Sequence, residues 1–330
     1  MDGTAPGRVC PLHYRYQPSA LAREPEIHAN TLYVIGGLYG NIPALDAVQQ
    51  LAQAESSAVT QVYNGDFNWF NKDDGGFRRI NDAVLAHHAL RGNVETELAA
   101  DDDAAGCGCG YPDSVSDAEV RRSNDILMQL RVAAKAIPEL RARLAILPMH
   151  RVADVGGMRI AIVHGDCESL AGWQYDVSVL IDNTDRLRQH FADGNVRIIA
   201  SSHTCLPAAS TVATPAGTCA LFNNGAAGMP NFAGSRYGIL TRIATTPSPH
   251  AATLYGTRIG NVHIDAVAIH YDHERWQREF LANWPVGSAG HLSYFSRIVH
   301  GPRHTPEAAI SGGVRPQHDN RQMNNKARGH

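Results

Sequence analysis

Four short patterns carry the residues of this sequence whose types could do chemistry, and they read as strand-end patterns, three of them directly after a run that reads as a β-strand. The first is Asn64-Gly65-Asp66, after the β-rich run Ala58–Tyr63. The others are Gly92-Asn93-Val94-Glu95, His164-Gly165-Asp166 and Ser202-His203-Thr204-Cys205. In an open α/β sheet, ligands bind outside the carboxyl ends of strands. A carboxylate, an amide and two imidazoles are hard or borderline ligands, suited to a divalent cation such as Mn, Fe or Zn. Burying four such groups at strand ends without a partner would be costly. Asp66, Asn93, His164 and His203 are therefore the candidate metal ligands, with Asp66 at the centre. Asp166 is a candidate to orient an imidazole from behind, because ligating histidines normally donate their second ring N–H to an acceptor. Asn68 and Trp69, just past Asp66, are candidates to line a substrate pocket. Trp69 or Phe67 could stack on a base or aryl group, although both positions also suit a core.

The elements that must position these groups are read from periodicity. Leu32–Ile35 is a short continuous apolar run, as expected of a buried strand. A glycine turn follows, and Ile42–Glu55 reads as a helix, with Leu45, Val48 and Leu51 on one face, Pro43 near its start and Asn41 as its cap. Phe77–Leu90 reads as a helix carrying His87 and His88, which cannot share one face. Ser116-Asp-Ala-Glu119 is a capping box that opens a helix to about Lys135. Pro138 starts another, through Leu147. His150–Val155 and Met158–Val163 form a hairpin around Gly156-Gly157, and its second strand runs straight into His164. Val177–Ala192 reads as a helix, and Val196–Ala200, Ala220–Phe222 and Tyr237–Ile243 as strands. Val262–Tyr271 alternates with a change of phase, which points to a bulge. His273–Asn283 reads as a helix with Trp276 and Phe280 on one face.

The loop Asp101–Pro112 holds Cys107 and Cys109. A zinc site normally needs a second such cluster, and the sequence has none. Two readings stay open: a loop with two thiols, or a redox-sensitive or metal-touching lid over the site. The chain shows no internal repeat. Strands and helices alternate in its first half, and strands dominate its second, which suggests one layered α/β domain. Residues 1–30 are expected to form an irregular arm. The domain proper spans 31–245, with an insertion at 97–148, and 246–300 adds strands and a helix that complete it. The Pro-, His-, Asn- and Arg-rich stretch 301–330 is expected to be disordered.

The formal net charge of −3 gives no electrostatic case for nucleic acid. No stretch approaches the ~18 apolar residues of a membrane span, and the N-terminal stretch has no apolar segment of the secretory kind. Six cysteines in a chain this long need not be staples. Reduced thiols and a cytoplasmic location are the expectation. Nothing in the sequence indicates an oligomeric state.

Taken in order, Gly-x-Tyr-Gly-Asn (37–41), Gly-Asp (65–66), Gly-Asn-x-Glu (92–95), His-Gly (164–165) and His-Thr-x (203–205) resemble the calcineurin-like metallophosphoesterase superfamily, over about Thr31–Ile243. The resemblance implies a four-layer α/β/β/α sandwich with its metal site at the strand ends. It also implies one or two divalent metal ions per chain and hydrolysis of a phosphomonoester or phosphodiester, in a phosphorylated small molecule or nucleotide-like substrate. In that family Asp66 would bridge two metals, and Asn93, His164 and His203 would complete the second metal's protein shell. Asp66, Asn93 and His203 would be the catalytic residues, with Asn93 also contacting phosphate through its NH2.

The first metal's motif is altered. The family's opening Asp-x-His is here Gly37 and Tyr39, and its closing Gly-His-x-His ends in Cys205. Three readings follow. The enzyme works with one firmly held metal; or Tyr39 and Cys205 act as extra, softer ligands that suit iron or zinc; or catalysis is lost and the fold serves as a binding scaffold. A redox enzyme using Tyr39, Cys205 and an iron ion is a further option. Many family members place a histidine after the Gly-Asn to protonate the leaving group, and here that position is Val94. Lost general-acid assistance typically costs ~10²–10⁴-fold, so the replacement calls for a good leaving group or an acid from elsewhere.

Overall fold

Strands β1 (Ile27–Ala29) and β2 (Thr31–Ile35) come first in the computed structural model, which describes residues 5–180 and 183–317. Asn41 then caps α1 (Ile42–Gln53). Its side-chain oxygen accepts from the Ala44 amide at 2.9 Å, and Pro43 sits in the first turn, where a missing N–H leaves nothing unpaired. β3 (Thr60–Asn64), α2 (Asp74–Val84), β4 (His88–Leu90) and the short α3 (Asn93–Ala99) follow. α4 (Asp117–Ala136) opens on the Ser116/Glu119 capping box, and α5 (Pro138–Ala145) leads into the hairpin β5 (His150–Val155) and β6 (Met158–Val163). Next come α6 (Val177–Leu180), α7 (Thr184–Asp193), β7 (Ile198–Ser201), β8 (Pro207–Thr214), β9 (Gly217–Asn224) and β10 (Gly238–Ala244). The chain continues with β11 (Thr253–Ile259), β12 (Val262–Ile269), α8 (His273–Asn283), α9 (Ser296–His300) and β13 (Arg315–Pro316). No described helix is long and apolar enough to cross a membrane.

The strands form two mixed sheets, ordered β1-β5-β6-β7-β9-β8 and β13-β11-β12-β10-β2-β3-β4. Successive side chains on a strand leave opposite faces, and β2 shows the consequence. Leu32 and Val34 pack with Val62 against Ile160, Ile162 and Ile198 of the other sheet. Tyr33 and Ile35 face the opposite way, into a core shared with Leu45 of α1, Ile80 of α2, Leu127 of α4 and Phe280 of α8. The outer face of the first sheet, through Val163, Ile199 and Leu221, is covered by Leu187 and Phe191 of α7. The layers are helix, sheet, sheet, helix, the expected α/β/β/α sandwich. β3 and β4 run parallel to β2, and β7 runs parallel to β6, so the loops that follow them leave in common directions.

Several segments differ from the sequence reading. Phe77–Leu90 is not one helix. α2 ends at Val84, and β4 pairs with β3, Val62 opposite His88 and Asn64 opposite Leu90, which leaves His88 on an edge strand and exposed. Three residues are too few to show alternation. Val177–Ala192 divides into α6 and α7, β8 and β11 are added strands, and the register shift falls between Thr253 and Tyr255 of β11. The arm is not wholly irregular. β1 pairs in parallel with β5, and Tyr14 and Leu21 are fully buried; residues 1–4 lie outside the described residues. The stretch 301–317 is not disordered. His304, Ala309 and Val314 are buried, and β13 pairs with β11. A few anchoring residues hold this segment, so its low apolar content hid the packing. Residues 318–330 lie outside the described residues.

Candidate metal centre

The turn after β3 is shaped by close approach. Gly65 and Asp66 both take left-handed backbone angles, φ +75° and +53°. A Cβ on Gly65 would come within 2.7 Å of the backbone of Gly92 and of His164 Nδ1, and one on Gly92 would overlap the Asp66 carboxylate. Only glycine fits at either position. Glu95 holds the turn from behind. Its carboxylate accepts from the amides of Asp66 at 2.7 Å, Phe67 at 3.1 Å and Asn68 at 3.3 Å, and from Gly92 at 3.0 Å across the start of α3. Burial, and then the neighbouring Asp66 carboxylate, push Glu95 up to about 7 against the pull of those donors.

The four candidate ligands meet. His164 Nε2 lies 3.3 Å from Asp66 Oδ2, 3.2 Å from Asn93 Oδ1 and 3.2 Å from His203 Nδ1. Backbone carbonyls fix both ring tautomers. His164 Nδ1 is 2.9 Å from the Asn64 oxygen, and His203 Nε2 is 3.0 Å from the Cys109 oxygen. A carbonyl only accepts, so those two nitrogens carry the protons and the other two present lone pairs. Asn93 is fixed the same way. Its NH2 donates to the Cys107 oxygen at 2.9 Å and to Cys109 Sγ at 3.5 Å, which turns Oδ1 inward. That leaves no NH2 proton for a phosphate, contrary to the role expected from the sequence.

With both imidazoles neutral, four acceptors thus converge with no donor among them, and ligand atoms of Asp66, His164 and His203 all lie within 4.8 Å of one another. A divalent cation satisfies such a set, so the residues fit the metal that the motifs implied. The protonation balance agrees. Burial opposes a charged His164, yet the Asp66 carboxylate outweighs it and holds the ring above the usual histidine value. Burial, then His164, drives His203 down to about 4. Burial alone would raise Asp66, but His164 and then His203 hold it below the usual carboxylate range. The pocket accommodates positive charge at its centre.

Tyr39 and Cys205 come together beside this set rather than joining it. The Tyr39 hydroxyl is 2.9 Å from Cys205 Sγ, and Arg297 donates to the Cys205 carbonyl at 2.6 Å. Both residues have left-handed angles, φ +53° and +64°. A Cβ on Gly37 would press on the Tyr39 ring at 2.9 Å, so the ring occupies the space that a side chain at position 37 would need. Burial, followed by Cys205, holds the Tyr39 hydroxyl well above the usual tyrosine range, and burial likewise raises the Cys205 thiol.

The remaining candidates separate. Trp69 lines a small, partly open cleft over the centre, together with Asp66, Asn93 and His203. Asn68 does not reach it: its amide pairs with Asn81 of α2, Asn81 donating at 2.8 Å. Phe67 is fully buried in the helical-side core. Asp166 does not orient either imidazole. Its oxygens accept from the amides of Glu168, Ser169 and Gln174, so it shapes its own loop. The Cys107/Cys109 loop does lie over the site, and its bonds to His203 and to Asn93 run mainly through carbonyl oxygens. All six cysteines are free thiols.

Two solved structures share this arrangement of layers. A metallophosphoesterase from Sphaerobacter thermophilus matches with a TM-score of 0.53 at 16% identity, over 83% of this chain and 100% of that one. A hypothetical protein from Pyrococcus horikoshii OT3 matches with a TM-score of 0.55 at 15% identity, over 83% of this chain and 99% of that one. The fold is that of the metallophosphoesterases. No family model and no curated protein matches the sequence. Within the metallophosphoesterase fold, three functional contributors lay outside the sequence reading. Glu95 was visible three residues after a helix-capping glycine, a spacing that marks a carboxylate reaching back to backbone amides. The Asn64 and Cys109 carbonyls had no signal, because every residue has one.

Proposed function

We propose that this protein is a metal-dependent hydrolase of phosphomonoesters or phosphodiesters that works with a single divalent cation held by Asp66, Asn93, His164 and His203. The observation that carries the reading is the donor-free convergence of four acceptors whose tautomers and amide orientation are fixed by backbone carbonyls. A cation there would supply Lewis-acid polarisation of a phosphoryl oxygen and activation of water. The chain supplies the rest. The Asn64 and Cys109 carbonyls fix the ring orientation and aim His164 Nε2 and His203 Nδ1 inward, and Glu95 fixes the Asp66 turn. Val94 lines the cleft where an acid would be useful, so esters with good leaving groups are favoured. The Tyr39–Cys205 hydrogen bond supports one cation rather than two, because each group already has its partner in the other.

The test is elemental analysis of the purified protein, followed by turnover of bis(p-nitrophenyl) phosphate and p-nitrophenyl phosphate with Mn²⁺, Fe²⁺ or Zn²⁺. The reading expects a single tightly held equivalent and turnover that Asp66→Asn abolishes. Two equivalents would instead make Tyr39 or Cys205 a ligand. The scaffold reading is favoured by the loss of an acid at Val94; it expects metal-dependent stabilisation with no turnover under any metal.

A further inference from the structure

The cleft above the centre is walled by aromatic rings that the hydrolase reading does not use. Tyr111 and Trp173 form one pair, ring centroids 5.9 Å apart, and Trp69 and Tyr294 another at 6.3 Å. Tyr111, Trp173 and Tyr294 line the cleft and are only partly buried. They are also held in place. Trp173 donates its indole N–H to the Cys109 carbonyl at 3.0 Å, the same oxygen that orients His203, and its ring lies edge-on to His203 at 5.3 Å. The Tyr111 hydroxyl is anchored to Ser123 of α4 at 3.0 Å. A fixed aromatic wall beside the reaction centre is a surface for a planar group.

The charge of the cleft is equally informative. Among the described residues, none that lines it is Lys or Arg. The nearby Arg297 is committed to the carbonyls of Pro230 and Cys205. A divalent cation and the Arg297 guanidinium, less the Asp66 and Glu95 carboxylates, leave one net positive charge, and Asn93 and neutral imidazoles add none. That matches a phosphodiester, which carries one negative charge. A monoester dianion or a diphosphate would bring further charge into an apolar cleft with nothing to meet it.

We propose that the cleft selects a phosphodiester with a single phosphorus and a planar aryl or nucleobase arm, with Tyr111, Trp173 and Tyr294 as the residues that determine this preference. The inference rests on the hydrolase reading only for the charge of the cation.

Four probes without a hydrolysable carbon ester separate ring from charge. Diphenylphosphinate has one charge and two rings, and dimethylphosphinate has one charge and no ring. Phenylphosphonate has a ring and a second charge, and pyrophosphate has more charge and no ring. Calorimetric binding to the metal-replete protein should rank diphenylphosphinate first, by about tenfold or more over each of the others, as expected for aromatic stacking and charge match. Trp173→Leu and Tyr111→Leu should each bring the diphenyl-to-dimethyl ratio toward one, and Trp173→Phe should preserve it. Equal binding of the two phosphinates, or tightest binding of phenylphosphonate or pyrophosphate, overturns the proposal. The ranking is read on the unmodified protein, so a variant that fails to fold does not decide it. Turnover of bis(p-nitrophenyl) phosphate is scored separately. If it is absent while the ranking holds, the hydrolase reading falls and the recognition stands. If turnover is present and the ranking fails, the reverse is true.

Discussion

Two halves of one site, a few ångströms apart, have opposite chemical needs. In one half, Asp66, Asn93, His164 and His203 present acceptors to one another, and every proton they could offer is already given to a backbone carbonyl or a thiol. In the other, Tyr39 and Cys205 form a hydrogen bond with each other, and the Tyr39 ring fills the space beside Gly37. The first half is a set of groups that a cation would satisfy. The second is complete with none. The difference teaches that a degenerate metal motif need not leave a hole. A phenol and a thiol, one donating and one accepting, satisfy each other through a hydrogen bond.

The largest effect should come from breaking the needy half. Asp66→Asn removes the only carboxylate of the four ligands while keeping shape, and with it the charge that holds a cation. Turnover of an activated phosphodiester should fall by roughly 10³-fold or more, since metal catalysis is worth several kcal/mol, and metal content should fall with it. A variant that keeps its metal and its rate would move the centre of the site elsewhere. Removing the cation itself comes next. Unfolding followed with and without chelator should show a loss of about 4 kcal/mol when free metal had stood near 1,000 times its Kd. A chelator that leaves the melting temperature unchanged would mean that the four acceptors are satisfied some other way.

The self-satisfied half should respond differently. Tyr39→Phe leaves the ring in place and deletes one hydroxyl, so Cys205 loses that hydrogen bond and keeps the one to the His203 carbonyl. Stability should drop by about 1 kcal/mol, while metal equivalents stay the same. Metal content that fell in this variant would place Tyr39 among the ligands and erase the contrast between the halves.

What the sequence made legible follows the same division. Asp66, His164 and His203 were readable because each follows a run that reads as a strand, and Asn93 through its Gly-Asn-x-Glu pattern alone. Single strands followed from apolar runs such as Leu32–Ile35 and from the hairpin at Gly156-Gly157, while the two-sheet sandwich was implied by the resemblance. The misses share a physical cause, since they depend on partners far away in the chain. β4 is three residues long and exists because β3 lies beside it. The stretch around His304 and Val314 packs through single side chains and not through a periodic face. Trp173 sits in a loop without periodicity, and only the fold brings it over His203. The contact between Tyr39 and Cys205 spans 166 positions, so two separate substitutions in the motif could not be read as one compensating pair.

The smallest effect concerns the loop that covers the centre. By sequence, Cys109 is a candidate thiol for touching metal; its geometry assigns the work to its carbonyl, which accepts from both His203 and Trp173. Its Sγ meets Asn93 Nδ2 only at the long distance of 3.5 Å. Burial, then Cys107, keeps the thiol well above the usual cysteine range, so it has little thiolate to offer a cation at neutral pH. Cys109→Ser preserves the backbone and the carbonyl. Metal affinity measured by competition with a chromogenic chelator should therefore change by less than about threefold, well under the ~10–100-fold cost of losing a partner that orients a ligand. A larger loss would show that sulfur, and not the peptide oxygen, is what this loop contributes. Because Cys109→Ser leaves the peptide in place, the two contributions separate cleanly at this one position.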